Sequence, residues 1–133
     1  MTDDGNPLDG FAQTMMRSVR DRSIDEMDLF NSGRMEQSVP TLWSHVATTP
    51  EIREALTQLI PQIVDTAIYF FLDAIDNGEL RLAVRSRSGD YLDLMELGHG
   101  GLAGWPMGGE PDSWRARFSE RRDPGLMVDG TDG

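Results

Sequence analysis

The stretch from Pro50 to Gly78 constrains the fold of this chain more than any other segment. Thr49 suits a helix N-cap, Pro50 suits the first helical position, and Gly78 can adopt the positive φ of a helix end. Apolar side chains recur between them at helical spacing: Ile52, Leu56, Leu59, Ile60, Ile63, Val64, Ala67, Ile68, Phe71, Leu72 and Ile75. They cover about half of the helix circumference. The sequence therefore predicts a long central helix over about 50–77, bent at Pro61, which other segments must shield from water.

Two predicted elements precede this helix. Apolar residues from Phe11 to Val19 recur every three or four positions and predict a helix over about 8–22. Ser23 and Glu26 have the spacing of a capping box, which predicts a second short helix ending near Gly33. Whether this region forms two helices or one bent helix stays open. A further short helix over about 41–48 follows Pro40.

After Gly78 the apolar pattern changes to a period of two. Leu80, Leu82 and Val84 alternate with polar or small residues, a turn over 86–89 follows, and Tyr91 begins a second apolar run. This pattern predicts a β-hairpin over about 80–94, which needs helices to pack against. The last element, over about 112–122, carries two large aromatic residues, and a helix is favoured there over a strand.

Length and composition predict one domain of the helix-dominated α+β class. The chain has 133 residues, the size of a typical single domain. We expect residues 1–7 to be disordered, residues 8–122 to form the domain, and residues 123–133 to form a flexible acidic tail. No uninterrupted apolar run approaches the 18 or so residues of a membrane span, so a soluble cytoplasmic protein is expected.

Composition excludes several classes of chemistry. The absence of cysteine excludes disulfide frameworks, thiolate zinc sites and thiol nucleophiles. The absence of lysine excludes a Walker-type phosphate loop. The net charge of −11 opposes nucleic acid and anionic membranes, because the electrostatic attraction that dominates such binding would be repulsive. We expect neither kind of partner.

Several motifs resemble catalytic or binding signatures without completing them. Gly98 to Ala103 reads G-x-G-x-x-A, but no amphipathic helix follows and too little chain remains for a dinucleotide-binding fold. His45 and His99 lack metal-ligand spacing with each other. Asp73 and Asp76 lie one helical turn apart, which a solvated helix face explains without catalysis. We therefore predict no metal, no cofactor and no catalytic residue.

The leading functional hypothesis is a non-enzymatic, protein-binding module. On the predicted central helix, Asp65, Tyr69, Asp73 and Asp76 fall on the polar arc, so they are the candidate residues for binding a basic partner. Such a protein could act as an inhibitor or immunity-type antagonist of a basic effector. An arginine cluster towards the C-terminus could instead pair with this acidic arc inside the chain.

The alternative hypothesis is a small-ligand binder or enzyme with a pocket closed by the loop over 98–109. Six glycines in twelve residues would let backbone amides approach a ligand, with His99, Gly100, Gly101 and Trp105 as its contacts. A third feature is a methionine cluster near the N-terminus, formed by Met15, Met16, Met27 and Met35, which could fill the core or form a homodimer face.

Overall fold

The computed structural model describes residues 6–33, 42–106 and 111–121. Within them the chain forms helices around one long central helix, with one small antiparallel sheet, which confirms the helix-dominated α+β class. The elements in chain order are α1 (Pro7–Gln13), a π-helical segment (Thr14–Asp21), α2 (Arg22–Ser32), α3 (Leu42–Val46), α4 (Pro50–Asp76), β1 (Ala83–Arg85), β2 (Tyr91–Asp93), α5 (Leu94–Leu97), a 3₁₀ turn (Leu102–Gly104) and α6 (Trp114–Phe118).

The N-terminal region is one continuous helical run rather than two capped helices. It begins at Pro7, inside the segment predicted to be disordered, because the Asn6 side chain accepts a hydrogen bond of 2.9 Å from Leu8 N. The predicted capping box at Ser23 is wrong, since the helical run passes through this residue without interruption. Gly33 ends the run with a φ of 74°, as predicted. Residues 1–5 lie outside the described part of the chain.

Helix α4 confirms the long central helix. The Thr49 side chain accepts a hydrogen bond of 3.1 Å from Ile52 N, and Gly78 follows the helix with a φ of 79°. The helix continues through Pro61, so one element of 27 residues, about 40 Å long, forms the centre of the fold.

The predicted hairpin is present and shorter than expected. Val84 pairs with Leu92 in an antiparallel register, and Gly89 supplies a positive φ of 97° in the turn. Extending the second strand to Leu94 was wrong, because the Asp93 side chain caps α5 by accepting a hydrogen bond of 3.1 Å from Glu96 N. The helix favoured for the last element is confirmed as α6.

The hydrophobic core lies against the C-terminal half of α4. Ile68, Leu72 and Ile75 of α4 are buried there. The N-terminal run, α5, the 3₁₀ turn and α6 supply the remaining buried side chains: Leu8, Ala12, Met15, Met16, Leu94, Leu102, Ala103 and Trp114. The N-terminal half of α4 packs mainly on α2, where Asn31 donates a hydrogen bond of 2.9 Å to the Arg53 carbonyl. The described residues leave one side of α4 without cover.

Candidate functional site

The uncovered side of α4 is an apolar surface, which we call the front face. Its exposed side chains recur every three or four residues: Ile52, Ala55, Leu59, Gln62, Ile63, Thr66, Ala67 and Phe70. Ile63 is 65% exposed, Phe70 60% and Leu59 46%. The small Thr66 and Ala67 lie between larger neighbours, and a shallow groove runs from Leu59 to Phe70. Within the described part of the chain, no other element packs over this apolar surface of α4.

The front face carries no charge. Between residues 55 and 72 the sequence holds one charged residue, Asp65, and its side chain is buried. These 18 residues span about 27 Å of helix axis. A contiguous apolar surface of this length on a folded domain is typical of an interaction site, because water-soluble monomers rarely expose one.

Helix α4 also meets the length and composition of a membrane span. It is the one helix among the described residues to do so, and 28% of its most apolar window is buried. Uninterrupted apolar runs do not reveal it, because Gln58, Gln62 and Asp65 divide the apolar residues of α4. Core helices of water-soluble proteins meet the same criterion. Asp65, near the middle of α4, is paired with another element of the fold, which favours a helix packed on a protein domain.

Opposite the front face, α4 carries a buried ion pair. Asp65 is 7% exposed, and its carboxylate accepts two hydrogen bonds from the guanidinium of Arg20, at 2.6 Å from Nε and 3.3 Å from Nη2. Arg20 lies in the π-helical segment and is fully buried. Arg115 of α6 approaches the same carboxylate at 3.8 Å. Charge-assisted, bidentate pairs of this kind hold two elements in one relative position.

The ion pair extends into a polar network that fastens the residues after α6. Ser119 Oγ accepts a hydrogen bond of 2.7 Å from Arg20 and donates one of 2.6 Å to Asp21. The backbone N–H of Glu120 donates to the other Asp21 oxygen at 2.8 Å. Arg121 donates to Asp25 at 2.5 and 3.0 Å. The hydrogen bond to Asp25 and the negative charge of this carboxylate raise the pKa of Arg121.

The four acidic-arc candidates do not form one solvent-facing site. Asp65 points into the protein, which corrects its assignment to the exposed polar arc; burial is possible because Arg20 supplies the opposite charge. Asp76 is half-buried and accepts hydrogen bonds from Leu102 N at 2.8 Å and Ala103 N at 2.9 Å.

Of the other two candidates, Tyr69 is exposed and Asp73 is half-buried. The Tyr69 ring packs edge-on against Phe70 with centroids 5.0 Å apart, which places it at the border of the front face. Asp73 accepts a hydrogen bond of 3.2 Å from Asn77 one turn further along. These two side chains are too few to define an acidic binding surface on α4.

The glycine-rich loop is held against α4 by Asp76. Its carboxylate occupies the two N–H groups that open the 3₁₀ turn, so these amides are already bonded and do not face a phosphate. A three-residue 3₁₀ turn also stands where a dinucleotide-binding motif needs a helix. The residues of the loop from 107 to 109 lie outside the described part of the chain.

The ligand-contact candidates in this loop are spread apart. A shallow depression is lined by Gly101, Gly104, Trp105, Asp112 and Ser113, so it contains two of the four predicted residues. His99 is exposed and has a φ of 53°, a left-handed conformation that ends α5 together with Gly100. Because a helix end explains this backbone strain, it does not indicate a binding site.

Other candidate chemistry is also accounted for within the described residues. No group of three or more metal-ligating side chains comes together in the residues 6–33, 42–106 and 111–121. Arginines near the C-terminus pair with acids near the N-terminus, as Arg117 does with Asp9 at 3.1 Å. Met15 and Met16 are buried in the core, so they are not available as a homodimer face; Met35 lies outside the described residues.

The front face is the feature that sequence reasoning missed. Its signal was present as the absence of exposed charge over residues 55–72, but the apolar positions were all counted as core. No protein-family model, curated protein or solved structure matches this chain. Its function is therefore inferred from the geometry of the protein itself.

Proposed function

We propose that this protein is a small, acidic, non-enzymatic protein-binding module that docks through the front face of α4 against an apolar helix of its partner. The single observation that carries this proposal is an exposed, uncharged helix face about 27 Å long. Apolar faces with anchors spaced at three and four residues are the recognition surfaces of helix-to-helix binding.

The candidate anchors are Leu59, Ile63 and Phe70. They are the most exposed large apolar side chains of the front face, and they line its groove together with smaller residues. Large anchors beside small residues offer both knobs and the holes that accept them. An inhibitor or immunity-type antagonist built on this surface would cover an apolar helix of its target.

A basic partner recruited by the acidic arc is less well supported. Two of its four residues, Asp65 and Asp76, make short contacts inside the protein. Binding through the uncharged front face should persist at high salt, because salt screens interactions between charges and strengthens apolar association. Binding of a basic partner should weaken under the same conditions.

Site-specific photo-crosslinking in cells tests the proposal. Phe70→p-benzoylphenylalanine places a photoreactive benzophenone in the front face, where the 60% exposure of Phe70 leaves room for the added benzoyl group. The matched control is Tyr91→p-benzoylphenylalanine, because Tyr91 is 71% exposed and lies on the hairpin. We expect a protein adduct from position 70 that is absent from position 91 and is lost when Ile63→Arg is added. The absence of any adduct specific to position 70 would refute the proposal.

A further inference from the structure

We infer that the helix which covers the front face belongs to a second copy of this chain, packed antiparallel to α4. This inference rests on the proposed function and names its partner. Three observations support it: the spacing of the apolar residues along α4, the helix orientation that the dipoles of two α4 helices favour, and the exposed area of the front face.

The apolar residues of α4 have the spacing that allows two identical helices to pack on each other. Five front-face residues and the half-buried Leu56 beside them follow one another at intervals of four, three, four, three and four residues: Ile52, Leu56, Leu59, Ile63, Thr66 and Phe70. This alternation is the heptad pattern of coiled coils, in which each side chain enters a hole of the facing helix at a crossing angle of about 20°. Two identical stripes can supply knobs and holes to each other.

The lack of charge favours self-pairing over selection of a different partner. Electrostatic complementarity is the usual source of specificity between unlike chains, and the front face offers none. In a two-fold symmetric pair the same patch contacts itself, so an uncharged face needs no complement on another protein.

The helix dipoles favour the antiparallel arrangement. A parallel pair would bring the two partially negative C-terminal ends of α4 together, and with them Asp73 and Asp76 of both copies. The antiparallel pair places each C-terminal end beside the partially positive N-terminal end of the other copy. Acidic side chains meet in either arrangement, because Glu51 lies in the first turn of α4, so the orientation depends on the dipoles. A register with Phe70 of one copy near Ile52 of the other brings Leu59 and Ile63 into contact at the centre.

The exposed area fits a weak, reversible dimer. The exposed parts of Ile52, Leu59, Ile63 and Phe70 and of the bordering Tyr69 amount to roughly 550 Å² per copy, so a pair buries at most about 1,100 Å², the size of weak and transient complexes. Each copy carries a net charge of −11, which opposes association at long range. Added salt should therefore tighten this dimer.

Sedimentation equilibrium of the full chain over a range of micromolar concentrations tests the second copy. We expect the mass to rise towards twice 14.8 kDa with concentration, and to rise further at high salt. Ile63→Arg should weaken association by ~100-fold or more, because it buries an unpaired charge in the interface. Leu42→Arg is the matched control: Leu42 is 76% exposed on α3, so this variant should associate like the wild type.

The orientation is tested by disulfide formation, which is clean because the chain has no cysteine. In the antiparallel pair, an equal mixture of Ile52→Cys and Phe70→Cys chains should form a mixed disulfide dimer under mild oxidation, and each chain alone should form little. Crosslinking of each chain with itself, without the mixed product, would overturn the antiparallel arrangement.

The outcomes separate this inference from the proposed function. A position-70 photo-adduct at twice the chain's mass supports the second copy. An adduct with a different protein, from a chain that sediments as a monomer, overturns the second copy and keeps the protein-binding module. Flotation of the chain with phosphatidylcholine vesicles, abolished by Ile63→Arg, would show that lipid covers the front face and overturn both.

Discussion

The two sides of α4 differ in a way that is unusual for a helix in water. On the front face, Ile63 and Phe70 are exposed and no charged side chain accompanies them from residue 55 to 72. On the opposite side, Asp65 is buried in a bidentate contact with Arg20, between apolar residues that form the core. Between residues 55 and 72, the one charged side chain is buried, whereas large apolar side chains such as Ile63 and Phe70 are exposed.

The two sides of α4 therefore differ in their contacts. Side chains on the inner side contact other parts of the chain: Asp65 pairs with Arg20, and Ile68 and Leu72 pack in the core. The front face has no such partners among the described residues. Amphipathic helices normally direct charge to solvent, and the exposed surface without charge is the reason for the proposal that another molecule covers this face. Four predictions test the contrast.

The largest effect is expected at the buried ion pair. Asp65→Asn removes the bidentate partner of the fully buried Arg20 guanidinium, leaves Asp21 at 3.7 Å as its remaining counter-charge, and should lower the free energy of unfolding by up to about 3–5 kcal/mol. Urea denaturation followed by circular dichroism measures this loss. The control is Arg81→Gln, which removes an exposed pair with Asp93 and should cost less than about 1 kcal/mol. Equal losses in both variants would show that the buried pair of Asp65 and Arg20 contributes no more to stability than the exposed pair.

The next largest loss of stability is expected at Ile68 of α4, and Ile63 on the same helix is the comparison. Ile68 is 3% exposed and Ile63 is 65% exposed. Ile68→Ala creates a core cavity and should cost about 2–5 kcal/mol. Ile63→Ala should change the stability of the monomer by less than ~0.5 kcal/mol, since most of this side chain is already exposed to solvent. Thermal unfolding at low protein concentration measures both. A large loss at Ile63 would mean that another part of the chain covers the front face.

A smaller effect is expected where α4 holds the glycine-rich loop. Asp76→Ala leaves the N–H groups of Leu102 and Ala103 without their carboxylate acceptor and should cost about 1–3 kcal/mol. Hydrogen exchange measured by NMR should show reduced protection of these two amides. Asp73→Ala, one turn earlier on the same helix, is the control and should leave their protection unchanged.

The smallest effect is a gain in stability at the end of α5. His99 has a φ of 53°, a conformation that costs a residue with a Cβ atom more than it costs glycine. His99→Gly should therefore stabilise the protein by about 0.5–1 kcal/mol, measured as a higher melting temperature. His45→Gly should instead lower the stability, because His45 lies within helix α3, where glycine is unfavourable. A loss of stability at position 99 would show that its side chain makes a contact of its own.

Local chemistry was enough to predict where several elements end. Thr49 supplies a cap oxygen, and Gly33 and Gly78 supply positive φ angles, so each boundary depends on a few adjacent residues. The same approach failed at Ser23, whose cap geometry is overridden by a helix that continues through it. It failed at Leu94, which turns into the core because Asp93 caps a helix there.

The candidate site could be predicted only in part. Periodicity places Asp65 about 160° from Ile63 around α4, but it does not say which of these two sides other elements will cover. That choice depends on Arg20, 45 residues away, and on Ser119 beyond α6. A one-dimensional pattern contains no information about a counter-ion at such a distance.

The secondary structure around α4 and the α+β class follow from the order of the residues, and composition excludes the classes of chemistry that need cysteine or lysine. These properties follow from local hydrogen bonding, backbone preference and side-chain chemistry. Tertiary contacts place Asp65, Met15 and Met16 inside and leave Leu59, Ile63 and Phe70 exposed. The reason is that burial depends on which distant segments meet, and α4 has more apolar surface than the described segments cover.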